Sequence, residues 1–137
     1  MTVLIDTNII LDYILKRERA EEALACLDYL FAGKSKVFLT ASVITDIYYI
    51  TKRTLHDSVQ AKAIIAKLLN AFQIAAVDKT DCVSALGIDM DDYEDSLVSI
   101  CAKKVRASYI ITQNTSHFTN SPVPAIKPMD FLEKYKQ

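Results

Sequence analysis

The chain has 137 residues, of which 51% are hydrophobic and 24% are charged, and its formal net charge is -1. This length fits one domain over residues 1–137, and the balance of apolar and charged residues excludes a disordered chain. A nearly neutral chain also lacks the strongly basic balance of a high-affinity DNA-binding protein.

The cysteines and the hydropathy pattern bear on the cellular compartment. Cys26, Cys82 and Cys101 are odd in number and have no Cys-x-x-Cys spacing. Each lies in an apolar helical context, so we expect buried thiols rather than metal ligands or nucleophiles. We expect no signal peptide, because Asp6 interrupts the apolar start at once, and no run approaches the roughly 20 apolar residues of a membrane helix. The sequence therefore predicts a cytoplasmic protein without a membrane association.

Short apolar runs alternate with helical patterns along the whole chain. In chain order, we predict a strand at 3–5, helices at 9–15 and 19–32, a strand at 37–40, helices at 41–52 and 56–72, a strand at 73–77, helices at 80–86 and 95–105, strands at 109–112 and 123–126, and a helix at 129–135. The strand runs are continuous and apolar, which indicates an α/β fold with a parallel sheet buried on both faces. Pro122 and Pro124 restrict the last strand to an edge.

Polar side chains follow the predicted strands in a pattern typical of a ligand site. Asp6 comes directly after the first strand, and Asn114 follows the strand at 109–112. Asp95 begins the helix that leads into that strand, and Asp46 lies about two turns into the helix after the second strand. Asp92 lies one turn before Asp95, as a further ligand or as a solvated charge. Because ligands bind beyond the carboxyl ends of parallel strands, we expect these side chains to converge.

Such a cluster suits metal-dependent phosphate chemistry. Gathered carboxylates raise one another's pKa, and a cation relieves that cost. Carboxylate, amide and water oxygens suit Mg²⁺ or Mn²⁺ rather than Zn²⁺. These ions acidify water and stabilise charge on a phosphate, so the pattern predicts hydrolysis of a phosphodiester.

Each side chain also has a structural interpretation. Asp6 and Asp95 suit helix N-caps, and Asn114 suits a turn. Asp46 lies within an apolar helix, where an unpaired carboxylate is costly, and this favours a functional role. We expect the other acidic residues of the segment before the helix at 95–105 to face solvent, namely Asp89, Asp91 and Glu94.

Three segments resemble the motifs of PIN domains, a family that includes the VapC-type toxins of bacterial toxin–antitoxin pairs. They are residues 4–12 (LIDTNIILD), residues 92–97 (DYEDSL) with Cys101-Ala102, and residues 110–114 (IITQN). Their order and spacing match over nearly the whole chain. The resemblance implies a three-layer α/β/α fold around a central parallel sheet and a ribonuclease that uses Mg²⁺ or Mn²⁺ to cut RNA. It also implies a homodimer, and an antitoxin protein that places a peptide over the active site.

The same resemblance assigns roles to individual residues. Asp6 matches the first metal ligand, Asp95 matches the third acid, and Asp92 matches an extra acid of one branch of the family. Three further positions match residues that support the site through hydrogen bonds, namely Thr7, Asn8 and Thr112.

Two positions depart from the family pattern. Asp46 stands where the second acid is usually Glu, so its carboxylate is one methylene shorter and a metal contact through water becomes plausible. Asn114 stands at the fourth acidic position, and the nearby His117 stands where relatives often have an acid. With one carboxylate fewer, a second metal would bind weakly or only with RNA phosphate. A PIN fold that no longer cuts, and only binds RNA or protein, is therefore the alternative.

Other phosphate-handling folds fit less well. A phosphatase of the haloacid dehalogenase type needs Asp-x-Asp after the first strand, and Asn8 occupies the second position here. A receiver domain needs a Lys after a late strand, where this chain has Gln113-Asn114. Basic residues such as Lys52 and Arg53 are solvated helix ends or contacts to the RNA backbone. For Tyr48 and Tyr49 we consider the core, a dimer contact and base stacking, in that order.

Overall fold

The computed structural model describes residues 1–136, which form five strands and seven α-helices. The strands are β1 (Thr2–Ile5), β2 (Lys36–Thr40), β3 (Gln73–Ala75), β4 (Tyr109–Ile111) and β5 (Ala125–Ile126). The helices are α1 (Thr7–Ile14), α2 (Ala20–Ala32), α3 (Ile44–Leu55), α4 (Ser58–Ala71), α5 (Lys79–Leu86), α6 (Tyr93–Lys104) and α7 (Pro128–Tyr135). Short 3-10 turns at Ala41–Val43 and Thr115–Phe118 precede α3 and follow β4.

The strands form one parallel sheet in the order β3-β2-β1-β4-β5. Leu4 of β1 pairs with Phe38 of β2 on one side and with Ile110 of β4 on the other. The chain builds outwards from β1 to β3 and then returns to the other side of β1 at β4. The strand order thus reverses between β1 and β4, which is where open α/β sheets form their ligand crevice.

The core lies on both faces of the sheet. Val3, Leu4 and Ile5 are consecutive in β1 and are all buried, so the side chains that alternate above and below the strand are both covered. Ile110 and Ile111 of β4 are equally buried. These findings confirm the predicted three-layer α/β/α fold with a central parallel sheet. The position of β5 at the sheet edge is also as predicted. Along residues 1–136, no helix is both long enough and apolar enough to cross a bilayer.

The helix boundaries differ from the prediction around His56. We expected His56 to begin a helix, but it ends α3 in the left-handed conformation, with φ 54°. Asp57 then caps α4 by accepting hydrogen bonds from the backbone N–H groups of Val59 and Gln60. A single left-handed residue therefore turns the chain from α3 into α4.

The cysteines are free, and two of them are buried as predicted. Burial raises the pKa of the Cys26 thiol to about 12 and that of Cys101 to about 11. Cys82 is half-buried. A thiol whose pKa is raised in this way is a poor nucleophile, so Cys26 and Cys101 serve the core.

Candidate active site

An acidic cavity of about 320 Å³ opens at the carboxyl ends of β1 and β4, beside the point where the strand order reverses. The sequence prediction named five candidate catalytic or metal-binding residues, and all of them line this cavity: Asp6, Asp46, Asp92, Asp95 and Asn114. Thr7, Asn8 and His117 line it as well. Side chains from Asp6 to His117 are thus gathered at one place, because the strands are parallel neighbours.

Asp6 is the most enclosed of these carboxylates, with 7% of its surface exposed. It follows β1 directly and caps α1, since its Oδ1 accepts a hydrogen bond of 2.9 Å from the backbone N–H of Thr7. Burial raises the pKa of Asp6, while the hydrogen bonds from Thr112 and Thr7 act in the opposite direction. The structural role as a cap and the position in the cavity therefore coexist in one residue.

Thr112 holds the second oxygen of Asp6. Its Oγ1 donates a hydrogen bond of 2.7 Å to Asp6 Oδ2 and accepts one of 3.0 Å from the backbone N–H of Asn114. This relay joins the ends of β1 and β4 and fixes the loop that carries Asn114. Thr7 contributes through its backbone, whereas its hydroxyl is buried and finds no hydrogen-bond partner among residues 1–136.

We predict that Thr112→Val lowers activity of this site by about 10–100-fold, the usual effect of losing a residue that orients a ligand. It also leaves a buried oxygen of Asp6 and the N–H of Asn114 without a partner, at a cost of about 1–3 kcal/mol in unfolding free energy. Cleavage rates and thermal denaturation measure the two effects. Thr112→Ser keeps the hydroxyl and is the control. Wild-type activity and stability in Thr112→Val would contradict the role of the relay.

The start of α6 supplies three acidic side chains, one from the N-cap and two from the first turn. We expected Asp95 to begin this helix, but α6 begins at Tyr93 and Asp92 is its N-cap, accepting a hydrogen bond of 3.0 Å from the N–H of Asp95. Asp95 is then free to face the cavity. Burial, followed by the charges of Asp92 and Asp6, raises the pKa of Asp95 to about 6. His117 Nδ1 lies 3.8 Å from Asp95 Oδ2 and works against this rise.

Glu94 is a residue of the site that the sequence prediction missed. We expected it to point outward, and its side chain is exposed, but it also lines the cavity. Burial, followed by the carboxylates of Asp46 and Asp92, raises the pKa of Glu94 to about 7. The spacing Asp92-x-x-Asp95 is an N-cap signal that would have placed the start of α6 at Tyr93 and Glu94 in its first turn.

Asp46 reaches the cavity from α3. The 3-10 turn at Ala41–Val43 takes up the first residues after β2, so Asp46 lies in the first turn of α3 and not two turns into it. Its side chain is half-buried and lies close to the carboxyl group of Glu94. Ile50, one turn further along α3, closes the apolar side of the same cavity.

A second cavity of about 460 Å³ adjoins the first and shares Asp92, Asp95 and His117 with it. Asp89 and Asp91 are exposed, as expected, and line this extension. The acidic surface therefore continues from the sheet edge along the segment that precedes α6.

The donor set fits a hard cation better than a soft one. The lining offers carboxylate oxygens, the amide of Asn114 and the unpartnered hydroxyl of Thr7, and two of the carboxylates have a pKa raised to about 6 or 7. Among residues 1–136, no three acidic, His or Cys side chains stand close enough to hold an ion by themselves. Carboxylate and amide oxygens of this kind suit Mg²⁺ or Mn²⁺ better than Zn²⁺.

A parallel α/β sheet with an acidic cavity at its switch point defines the class of this protein, and comparison with known sequences defines its family. The sequence model of the PIN domain matches residues 2–116. The chain belongs to the PIN domain family. No curated protein matches the sequence.

Solved structures share the fold at low sequence identity. VapBC2 from Rickettsia felis, solved bound to a DNA fragment from its promoter, is 16% identical, with 93% of this chain and 98% of that chain covered and a TM-score of 0.74. A toxin–antitoxin complex from Klebsiella pneumoniae gives 19% identity, 92% and 97% coverage and a TM-score of 0.68. VapC20 from Mycobacterium tuberculosis, a sarcin–ricin loop cleaving toxin, is 16% identical, with 89% of this chain and 98% of that chain covered and a TM-score of 0.64.

Proposed function

We propose that this protein is an endoribonuclease that uses Mg²⁺ or Mn²⁺ to hydrolyse RNA phosphodiester bonds. The observation that carries the proposal is the gathering of Asp6, Asp46 and Asp95 around one cavity at the switch point of the sheet. Burial, with added repulsion from neighbouring carboxylates, raises the pKa of three carboxylates of the cavity, Asp6, Glu94 and Asp95, and a bound cation would offset both effects. Membership of the PIN domain family supports the same conclusion.

Each residue of the cavity has a distinct part in this chemistry. A bound Mg²⁺ or Mn²⁺ would supply the positive charge that polarises a phosphate and acidifies the attacking water. Asp6 and Asp95 are the proposed direct ligands, and Asp46 and Asp92 complete the site directly or through water. Asn114 offers a neutral oxygen at the fourth position. Thr112 keeps Asp6 oriented, and Thr7 and Asn8 shape the cavity around it.

The proposal extends to a toxin of a toxin–antitoxin pair that acts on RNA in the cytoplasm as a homodimer. Support comes from the solved structures that share the fold, among them a toxin–antitoxin complex and a toxin that cleaves the sarcin–ricin loop. An antitoxin protein is accordingly the proposed partner. A gene for a small DNA-binding protein next to the gene for this chain would agree with it, and co-purification of that protein tests it directly.

A second function has its own support. Asp46 and Asn114 depart from the acids usual in the family, and within residues 1–136 no three ligating side chains are close enough to hold an ion unaided. Both observations favour a catalytically weakened PIN fold that binds RNA or a protein without cutting. The two functions differ in one observable, which is metal-dependent cleavage.

The experiment compares cleavage of mixed RNA by the full chain with Mn²⁺, with Mg²⁺ and with EDTA. Asp6→Asn is the test variant, and Asp130→Asn, on an exposed position of α7, is the matched control. We expect cleavage only with metal, and loss of cleavage only in Asp6→Asn. Cleavage in EDTA or by Asp6→Asn would refute the metal-nuclease proposal, and no cleavage of any RNA would favour the binding module.

A further inference from the structure

Helix α3 connects the acidic cavity to a cationic and aromatic surface. Asp46 and Ile50 line the acidic cavity, whereas Tyr49, Lys52, Arg53 and His56 line a separate, open cavity of about 610 Å³. We propose that this second surface, the α3 patch, binds the single-stranded RNA segment next to the phosphate that is cut. The inference rests on the proposed ribonuclease function and adds a substrate-binding surface to it.

Helix geometry places the two surfaces on one track. Tyr49 and Arg53 are three and seven residues beyond Asp46, so the three side chains share one side of α3. At a rise of 1.5 Å per residue, Arg53 lies about 10 Å along the helix axis from Asp46. An RNA chain with a phosphate at Asp46 therefore has its neighbouring nucleotides within reach of the patch.

The charge of the patch complements RNA. Lys52 and Arg53 are both exposed, and among residues 1–136 neither has a carboxylate within 4.0 Å. The acidic residue in the same cavity, Asp57, is already engaged, since its carboxylate accepts the hydrogen bonds that cap α4. Phosphate groups of a nucleic acid are the natural partners of two free cations beside a site that must attract RNA.

Tyr49 supplies a surface on which a base can stack. The prediction that Tyr49 belongs first to the core is wrong, because 62% of Tyr49 is exposed. The half-buried Tyr48 packs against it edge to face, with ring centroids 5.0 Å apart and planes at 75°, which restricts the Tyr49 ring. An exposed, braced aromatic ring beside free cations is the combination by which proteins hold single-stranded nucleic acid.

The binding experiment uses the full chain in EDTA, so that no cleavage occurs, and a fluorescent single-stranded oligouridylate of about ten nucleotides. We expect Tyr49→Ala to weaken binding about tenfold and Tyr49→Phe, which keeps the ring, to restore it. We expect Lys52→Glu to weaken binding and to lower the salt slope of log K by about 0.7 or more. The matched control is Lys34→Glu, which makes the same charge change at the turn before β2.

The outcomes distinguish three possible partners of the α3 patch: RNA, a second copy of the chain and another protein. Equal losses in Lys52→Glu and Lys34→Glu, or unchanged binding in Tyr49→Ala, would overturn the inference. So would a Tyr49→Ala protein that keeps its RNA affinity but changes its molar mass in sedimentation, because the patch would then be a contact between copies of the chain. A Tyr49→Ala protein that keeps its RNA affinity but no longer co-purifies with another protein would equally overturn the inference.

Cleavage with Mn²⁺ tells failure of the inference from failure of the proposed function. We expect Tyr49→Ala and Lys52→Glu to raise KM for single-stranded RNA with little change in kcat, whereas Asp6→Asn loses kcat. Unchanged KM in the patch variants of an active enzyme would overturn the inference alone. If no RNA is cut while binding still depends on Tyr49 and Lys52, the proposed function fails and the patch stands as an RNA-binding surface.

Discussion

Replacing Asp6 by Asn is expected to lower RNA cleavage by more than about 100-fold, beyond the usual effect of losing a residue that only supports a metal ligand. The fold should survive the change. Asn keeps an oxygen that can accept the N–H of Thr7, and its amide can donate to the hydroxyl of Thr112. In EDTA, Asp6→Asn should be as stable as the wild type or more so, because burial penalises the charged carboxylate.

Cleavage rates and thermal denaturation of the same samples separate the two effects of this substitution. Mn²⁺ should raise the Tm of the wild type and of Asp130→Asn, but should do so much less for Asp6→Asn. If Asp6→Asn lost cleavage because the protein was unfolded in thermal denaturation, Asp6 would have a role in the fold only. An active, metal-dependent Asp6→Asn protein would show that the metal lies elsewhere.

The second large effect is on stability as a function of pH. Without metal, the Tm should rise by several degrees, on the order of 5 °C, when the pH falls from about 8 to about 5. Burial and neighbouring carboxylates raise the pKa of Glu94 to about 7 and of Asp95 to about 6, so the folded state binds protons more strongly than the unfolded chain. This stabilisation is complete below the unfolded pKa near 4 and is lost as the pH rises through about 6 and 7. Solvent screening of these partly exposed groups keeps the effect modest.

At still lower pH, the stability of the folded chain decreases because of Asp81. Its hydrogen bond with Lys104 lowers the pKa of Asp81, so the stability it contributes is lost as the pH falls through that lowered value. The Tm in EDTA should therefore pass through a maximum between the two regimes. Glu94→Gln should flatten the rise toward acid pH, whereas Glu133→Gln, an exposed position of α7, should not.

Mn²⁺ should change this pH dependence. A cation binds the deprotonated carboxylates and displaces their protons, so its stabilising effect should be larger near pH 8 than near pH 5. Differential scanning calorimetry at several pH values, with Mn²⁺ and with EDTA, measures both curves. A Tm in EDTA that fell steadily from pH 8 to pH 5, or that did not respond to Mn²⁺, would contradict the electrostatics described for the cavity.

Much of the fold follows from local sequence patterns. Runs such as Val3 to Ile5 are continuous and apolar, which predicts strands buried on both faces and therefore a parallel sheet. An Asp placed directly after such a strand lies at the edge where the other strands also end. The position of Asp6 near Asn114 was predictable for this reason, even before the pairing of β1 with β4 was known.

Other features depend on where a helix begins or on tertiary contacts. A helix that starts at Asp95 leaves Glu94 in the preceding loop, whereas the structure has Glu94 in the first turn of α6, next to the cavity. The left-handed conformation of His56 allows α4 to follow α3 directly, and the exposure of Tyr49 depends on which elements cover α3. The pattern of apolar residues within one helix predicts neither the conformation of His56 nor the exposure of Tyr49.

A crystal structure of the full chain soaked in Mn²⁺, with anomalous scattering used to locate the ion, tests whether the carboxylates of the cavity form a metal site. We expect a peak inside the cavity, bounded by Asp6 and Asp95, with water completing its coordination toward Asp46. Absence of a peak from that cavity at saturating Mn²⁺, or a peak only at a distant surface site, would contradict the claim that these carboxylates form a metal site.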